Sequence, residues 1–277
     1  MAKIDETADR IDKLRDELSR LRPLSPSVLA SIQEPFDFEL TYSSNAIEGN
    51  TLTLRETEQV IAHGVTVAGK KLGDHLEAID HHEALHWAYR VAASDEPITA
   101  MTIRQLHQLV LAKSKPDIAG QLAVSQRAIR GSDVVFPSAA EVRPLMTDLG
   151  DDLRDAPMTP RSAFDAHRRL VTVHPFDDGN GRTARLLMNL MLVRGGYRPV
   201  AIGTAERLAY LATLERSQLT GDDRPFQLFM HERLEATMRE YVTTVRQAAE
   251  NAAALEGVDG PTAAELAHWH GQKGVGR

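Results

Sequence analysis

An all-α fold with one small β-hairpin is the architecture this sequence predicts. Three observations point to it. Apolar residues recur at helical spacing along most of the chain, from Ile11, Leu14, Leu18 and Leu21 to Leu186, Leu187, Leu190 and Met191. Strand formers gather in one place, Val134 to Phe136, beside the turn formers Gly131, Ser132 and Asp133. The apolar stretches are punctuated by helix caps and breakers, such as Thr53 with Glu56, Ser138 with Glu141, and Gly195-Gly196.

The first helix ends before Pro23 and Pro26. A second is expected from Phe36 to Ile47, stopped by Gly49, and a third follows Thr53 through Val60 and Ile61. Two more span 74–93 and 99–113, the latter opened by Thr99, or by Thr102 with Gln105. The hairpin falls within 120–137, and Ser138 then opens a helix bearing Val142, Leu145, Met146, Leu149 and Leu153. A helix from about Pro160 to Val173 leads into HPFDDGNGRTAR, and the next one stops at Gly195-Gly196. Further helices are expected over 204–218 and 224–247. From Gly257 the chain reads as a peripheral tail, with Thr262 and Glu265 suited to cap a short helix.

A chain of 277 residues holds one large domain or two small ones. Its 42% hydrophobic and 26% charged residues are an ordinary globular balance, and with aromatics at 5% the core leans on aliphatic side chains. The net charge of -7 argues against non-specific nucleic-acid binding, which needs a cationic face. The absence of cysteine removes disulfides, thiolate catalysis and Cys-based metal sites. No apolar run approaches the roughly 20 residues of a membrane span, and MAKIDETADR lacks the apolar stretch of a signal peptide. A cytoplasmic protein without membrane contact is expected.

The segment from His174 to Arg185 concentrates the chemistry. It sets an imidazole at the end of one helix and glycines 179 and 181 in the turn that opens another. Glycines there let backbone amides approach a phosphate, and the helix amino terminus adds a favourable dipole. Arg182 and Arg185, three apart, can grip different phosphates of one chain. Asp178 is a hard oxygen ligand suited to magnesium, and His174 can accept a hydroxyl proton near neutral pH. Phe176 reads as the anchor that holds the loop on the core. Each feature alone is commonly structural; their conjunction within twelve residues favours a phosphate site.

These residues match the signature of Fic proteins, HxFx(D/E)GNGRxxR, at every specified position. The chain is therefore identified as a member of that family over about Ser43 to Phe229, which implies a Fic-type helical bundle with a hairpin flap beside the active-site loop. The resemblance implies Mg2+- and ATP-dependent AMP transfer to a Ser, Thr or Tyr hydroxyl of another protein or of the chain itself. It gives His174 the role of general base and Asp178 that of Mg2+ ligand. Gly179, Asn180, Gly181, Thr183 and Ala184 would surround the nucleotide phosphates, with Arg182 and Arg185 on the leaving group. Doc-type kinases carry lysine in place of the second glycine of GNG; Gly181 stands here and favours AMP transfer. The flap would be formed by Ala128, Ile129, Arg130 and Gly131 with Val134, Val135 and Phe136, and would dock a protein target by strand addition. Ala123 replaces an arginine common in such flaps, and Pro137 is followed by Ser138 instead of a second proline. Tyr210 and Gln218 are candidates for the base pocket, with core packing an equal account of Tyr210.

Upstream, Ser44 to Gly49 fits the (S/T)xxxE(G/N) inhibitory motif of the same family. Glu48 lies at the carboxyl end of a helix, where its charge opposes the dipole unless a cation meets it. Arg185 is the expected cation, and Ser44 would fix the helix through a hydrogen bond. In an alternative reading, Glu48 aligns a water and the same site strips AMP from proteins.

His82-Glu83-Ala-Leu-His86 spells HExxH, a rival zinc-peptidase motif, with His107 the one candidate third ligand; it is much the weaker reading. The expected organisation is a helical extension over 1–42 and a core over 43–240, with a helix end and tail over 241–277. That core holds the inhibitory helix (43–49), the flap (about 120–137) and the catalytic motif (174–185). A homo-oligomer is among the arrangements open to it.

Overall fold

In a computed structural model that describes residues 2–21, 26–125 and 133–256, the protein is a helical bundle. Its helices are α1 (Ala2–Arg20), α2 (Pro26–Ile47), α3 (Leu54–His63), α4 (Leu72–Ala92), α5 (Ala100–Val110), α6 (Ala139–Arg154), α7 (Pro160–Val173), α8 (Asn180–Arg194), α9 (Arg207–Thr220) and α10 (Arg224–Glu256).

α8 is the axis of the bundle. Every residue of it except Gly181, Val193 and Arg194 is buried, as expected of a helix that is apolar on all sides beyond its first turns. It packs against α7, α4, α5 and α2, while α1 lies along α10 on the periphery. One continuous aliphatic core runs through these helices, and Leu52, Val60 and Ala78 form a small satellite beneath α3.

Local chemistry sets the boundaries. Thr53 and Glu56 form the reciprocal capping box of α3, and Gly64, at φ 63°, closes that helix in the left-handed region. Thr99 pairs with Thr102 to open α5, so the alternative start with Gln105 does not occur. The Glu141 carboxylate accepts from the backbone N–H of Ser138 at 2.8 Å at the head of α6.

Two helices run further than the sequence predicts. α2 starts at Pro26 and carries Pro35 inside it. A proline removes one ladder hydrogen bond and crowds the preceding turn, yet Phe38, Leu40 and Ile47 are buried along the same helix and hold it through. α10 continues to Glu256 because QAAENAAALE is rich in strong helix formers.

No strand occurs among the described residues. Val134, Val135 and Phe136 follow an irregular path with Phe136 buried and Val135 88% exposed. Their expected partners Ala128, Ile129, Arg130 and Gly131 lie outside the described residues, as does the tail from 257.

Candidate active site

α7 ends at His174, whose φ of 48° makes it the one non-glycine residue with positive φ among those described. Its backbone N–H still donates to the Leu170 carbonyl at 2.9 Å. A left-handed conformation costs a side-chain-bearing residue roughly 1–2 kcal/mol, so a glycine would be the easier choice here. The imidazole is partly exposed and packs on the Phe136 ring, 4.2 Å between centroids.

The turn after it is held from both sides. The Phe176 N–H donates to Asn180 Oδ1 at 3.0 Å, and Asn180 Nδ2 donates to the Phe176 carbonyl at 2.7 Å. Both ends of the Asn180 amide are thus engaged by the loop's own backbone. Phe176 is fully buried and stacked on His107, with ring centroids 3.7 Å apart and planes 3° from parallel. His107 Nε2–H donates to the Asp178 carbonyl at 2.9 Å, and its Nδ1 accepts from the Gly120 N–H at 2.9 Å. Both bonds together require the neutral ring, and burial pulls its pKa down to about 4. Gly179 caps α8 at φ 74°, where a Cβ would touch the same histidine at 3.4 Å.

His107, Lys115 and Glu77 meet this site from outside both sequence motifs. The signal for His107 was a lone polar residue on the apolar face of α5 made by Ile103, Leu106 and Val110, all buried.

The charged groups converge on the first turns of α8, whose leading amides have no intrahelical acceptor. Asp178 forms an ion pair with Lys115 and lies 3.3 Å from Arg182. Burial works to raise the Asp178 pKa, but Lys115, Arg182 and the Gly179 N–H together hold it below the usual carboxylate value. Arg182, 2% exposed, also meets Glu77 at 3.3 Å. Thr183 and Ala184 are buried in the helix.

Arg185 is buried on α8. Its Nη2 donates to Glu48 Oε1 at 2.7 Å and to the Ser44 carbonyl at 2.9 Å, while Nε donates to Ser44 Oγ at 3.0 Å. Burial opposes its charge, and the Glu48 carboxylate more than restores it. The pair also explains Gly181: a Cβ there would collide with Glu48 Oε1 and come within 3.0 Å of Arg185 Nη1.

Tyr210 is 1% exposed, with its hydroxyl 2.8 Å from His167 Nε2, and belongs to the core beneath Arg185. Gln218 is half-buried on α9. In the HExxH segment Glu83 is paired with Lys113, and His107 is hydrogen-bonded to the turn between α7 and α8. The zinc-peptidase constellation is therefore not assembled.

Comparison with known proteins gives one pattern. Residues 97–192 match the model of the Fic/DOC family. The chain is 36% identical over 244 residues to "Protein adenylyltransferase Fic" of Nematostella vectensis, covering 86% of this chain and 56% of that one. It is 34% identical to "Protein adenylyltransferase fic-1" of Caenorhabditis elegans, covering 87% and 48%. It thus spans about half the length of the curated relatives it matches. The solved structure of Fic-1 from C. elegans superposes with a TM-score of 0.81 at 32% identity, over 89% of this chain and 74% of that one. A Fic-domain-containing signaling protein from Bacteroides thetaiotaomicron gives 0.77 at 27% identity, over 86% and 97%.

Proposed function

The chain belongs to the Fic family, and from that premise we propose that it transfers AMP from ATP to a Ser, Thr or Tyr hydroxyl of a protein, itself included, under restraint by Glu48. The observation that carries this reading is the charged cluster of Asp178, Arg182 and Arg185 at the amino-terminal turns of α8, joined to His174 at the end of α7 by a turn that Asn180 and Phe176 hold.

The proposed step is a displacement at phosphorus. The target hydroxyl oxygen bonds to the α-phosphorus, the bond from that phosphorus to the bridging oxygen breaks, and pyrophosphate leaves. His174 takes the hydroxyl proton. Loop amides and the dipole of α8 stabilise charge on the α-phosphate, and the two arginines hold the departing phosphates. Asn180 serves by locking the loop through its two bonds to Phe176.

Asp178 is suited to a Mg2+ ion: it is held ionised, and a cation, Lys115, already stands against it. When bound, such an ion neutralises phosphate charge. We place target docking along 128–136, a reading supported by outward Val135 and by Phe136 against His174. The core for this chemistry is assigned to 43–240.

Glu48 restrains transfer by competing with a phosphate for Arg185. The carboxylate is tethered by α2, so its local concentration is high. Its side chain is 39% exposed, which leaves the pair open to displacement from one side.

The test is incubation with ATP labelled at the α- or γ-phosphate. Glu48→Gly is expected to label protein faster than the parent chain from α-label and not from γ-label. His174→Ala should lower the rate about 10²–10⁴-fold while retaining nucleotide binding. Labelling from the γ-phosphate alone would overturn AMP transfer in favour of a kinase. If Glu48→Gly gains no transfer and loses only removal of AMP from modified protein, the hydrolase reading replaces it.

A further inference from the structure

The two histidines of the HExxH segment have a geometry of their own, remote from the phosphate loop in sequence and chemistry. His82 and His86 stand one turn apart on α4, and their Nε2 atoms approach to 3.1 Å. At metal–nitrogen bonds of about 2.0–2.1 Å, nitrogens so spaced subtend about 100° at a common ion, within reach of tetrahedral or octahedral coordination. The rings are braced, His82 stacked on Phe38 and His86 edge-on to Tyr89, each at 5.9 Å.

Across the gap α2 presents Asp37. Its Oδ1 accepts from Gln33 Nε2 at 2.6 Å and from the Tyr89 hydroxyl at 2.7 Å, while Oδ2 lies 3.8 Å from His86 Nε2. The histidines and Asp37 line an open cavity of about 420 Å³ between α2, α3 and α4, with Glu34 on its wall. No group of three or more such donors is already gathered among the described residues. The seat therefore offers two nitrogens with a carboxylate beyond them.

We propose that His82 and His86 bind a divalent first-row transition cation, with Asp37 accepting a hydrogen bond from a water on that ion, and that the ion staples α2 to α4. Imidazole ligands select Zn2+, Ni2+ and Cu2+ and pass over Mg2+, so this seat and Asp178 draw on different ions. Binding needs both Nε2 lone pairs, and the hydrogen now between the rings moves to the Nδ1 of the ring that carries it. Glu83 takes no part, being held by Lys113.

The probe is CuCl2 added to the untagged 277-residue chain, read by electron paramagnetic resonance. One tight site with two nitrogen ligands is expected, and His86→Gln should weaken it at least about tenfold and remove one nitrogen from the spectrum. ZnCl2 should raise the melting temperature of the parent chain and not that of His86→Gln. His86 is half-exposed, so this variant should fold even if His82→Gln does not. A copper spectrum with fewer than two nitrogens, or affinity and thermal response unchanged in His86→Gln, would overturn the site.

Discussion

At Gly181 a missing carbon decides whether the Glu48 carboxylate fits. A Cβ there would overlap Glu48 Oε1, while its next neighbour, Arg185 Nη1 at 3.0 Å, is the far end of a flexible side chain. The second glycine of the motif is thus the glycine that admits Glu48. This makes a prediction about coupling that is separate from catalysis. Gly181→Ala should destabilise the parent chain by forcing Glu48 from Arg185, and should cost much less in a Glu48→Gly background. Double-mutant cycles on residues in contact give about 0.5–3 kcal/mol, and a value in the lower half of that range is expected from denaturant titrations, because Glu48 Oε1 ends a flexible side chain that is 39% exposed. Strict additivity would show that Glu48 does not occupy the space beside residue 181.

Between elements, the decisive contacts are those that no local pattern announces. Helix positions were legible because apolar spacing and caps are local: Thr53 with Glu56, Ser138 with Glu141 and the stop at Gly195 all function as read. Within the site, residues 174–185 and Glu48 were legible because each lies in a contiguous motif. His107, Lys115 and Glu77 were not, because they meet α8 only through the fold; Glu77 lies more than a hundred residues from its partner Arg182. The start of α2 was not legible for a related reason: the helix runs through Pro35, ahead of the apolar stretch that begins at Phe36, because packing in the fold overrules a local breaker. Gly150 is a further case. It lies inside α6, and a Cβ on it would strike the backbone nitrogen of Ala100 at the head of α5. Gly150→Ala, a change that favours an isolated helix, should instead destabilise the protein by about 1–3 kcal/mol. A raised melting temperature would show that α5 and α6 are free to separate. For His107, phenylalanine keeps a ring on Phe176 and removes both hydrogen bonds, leaving the Gly120 N–H and the Asp178 carbonyl without their partner. His107→Phe should cost about 2–4 kcal/mol at pH 7, and a neutral result would mean those bonds contribute nothing net.

For the whole molecule, buried histidines set the response to acid. Burial pulls the pKa of His107 to about 4 and that of His167 to about 3, and it lowers His81 and His231 as well. The unfolded chain binds these protons near the ordinary value of about 6.5. Between that pH and the folded values the unfolded state holds more protons, so stability falls as the medium is acidified. It is fully present above about pH 6.5 and drains away down to about 4 for His107 and about 3 for His167. Asp37 and Glu39, raised by burial, act in the opposite sense, but they are two groups against five, since burial also lowers His82. Asp178 and Glu235, held low by cations, lose their stabilisation only as pH falls below the ordinary carboxylate value of about 4. The urea midpoint should therefore be level from pH 8 to 7 and fall steadily between 6.5 and 4.5, before carboxylates contribute. Total stabilities are about 5–15 kcal/mol, so a loss of a few kcal/mol over that interval is easily measured. His107→Phe supplies the internal control, because it deletes one titrating group from the folded protein. Its stability should fall less steeply over the same interval, by about 1.4 kcal/mol per pH unit at most. A parent midpoint that stays level to pH 4.5, or an unchanged slope in His107→Phe, would show that these rings are protonated in the folded protein and that the neutral clamp on Asp178 and Gly120 does not exist.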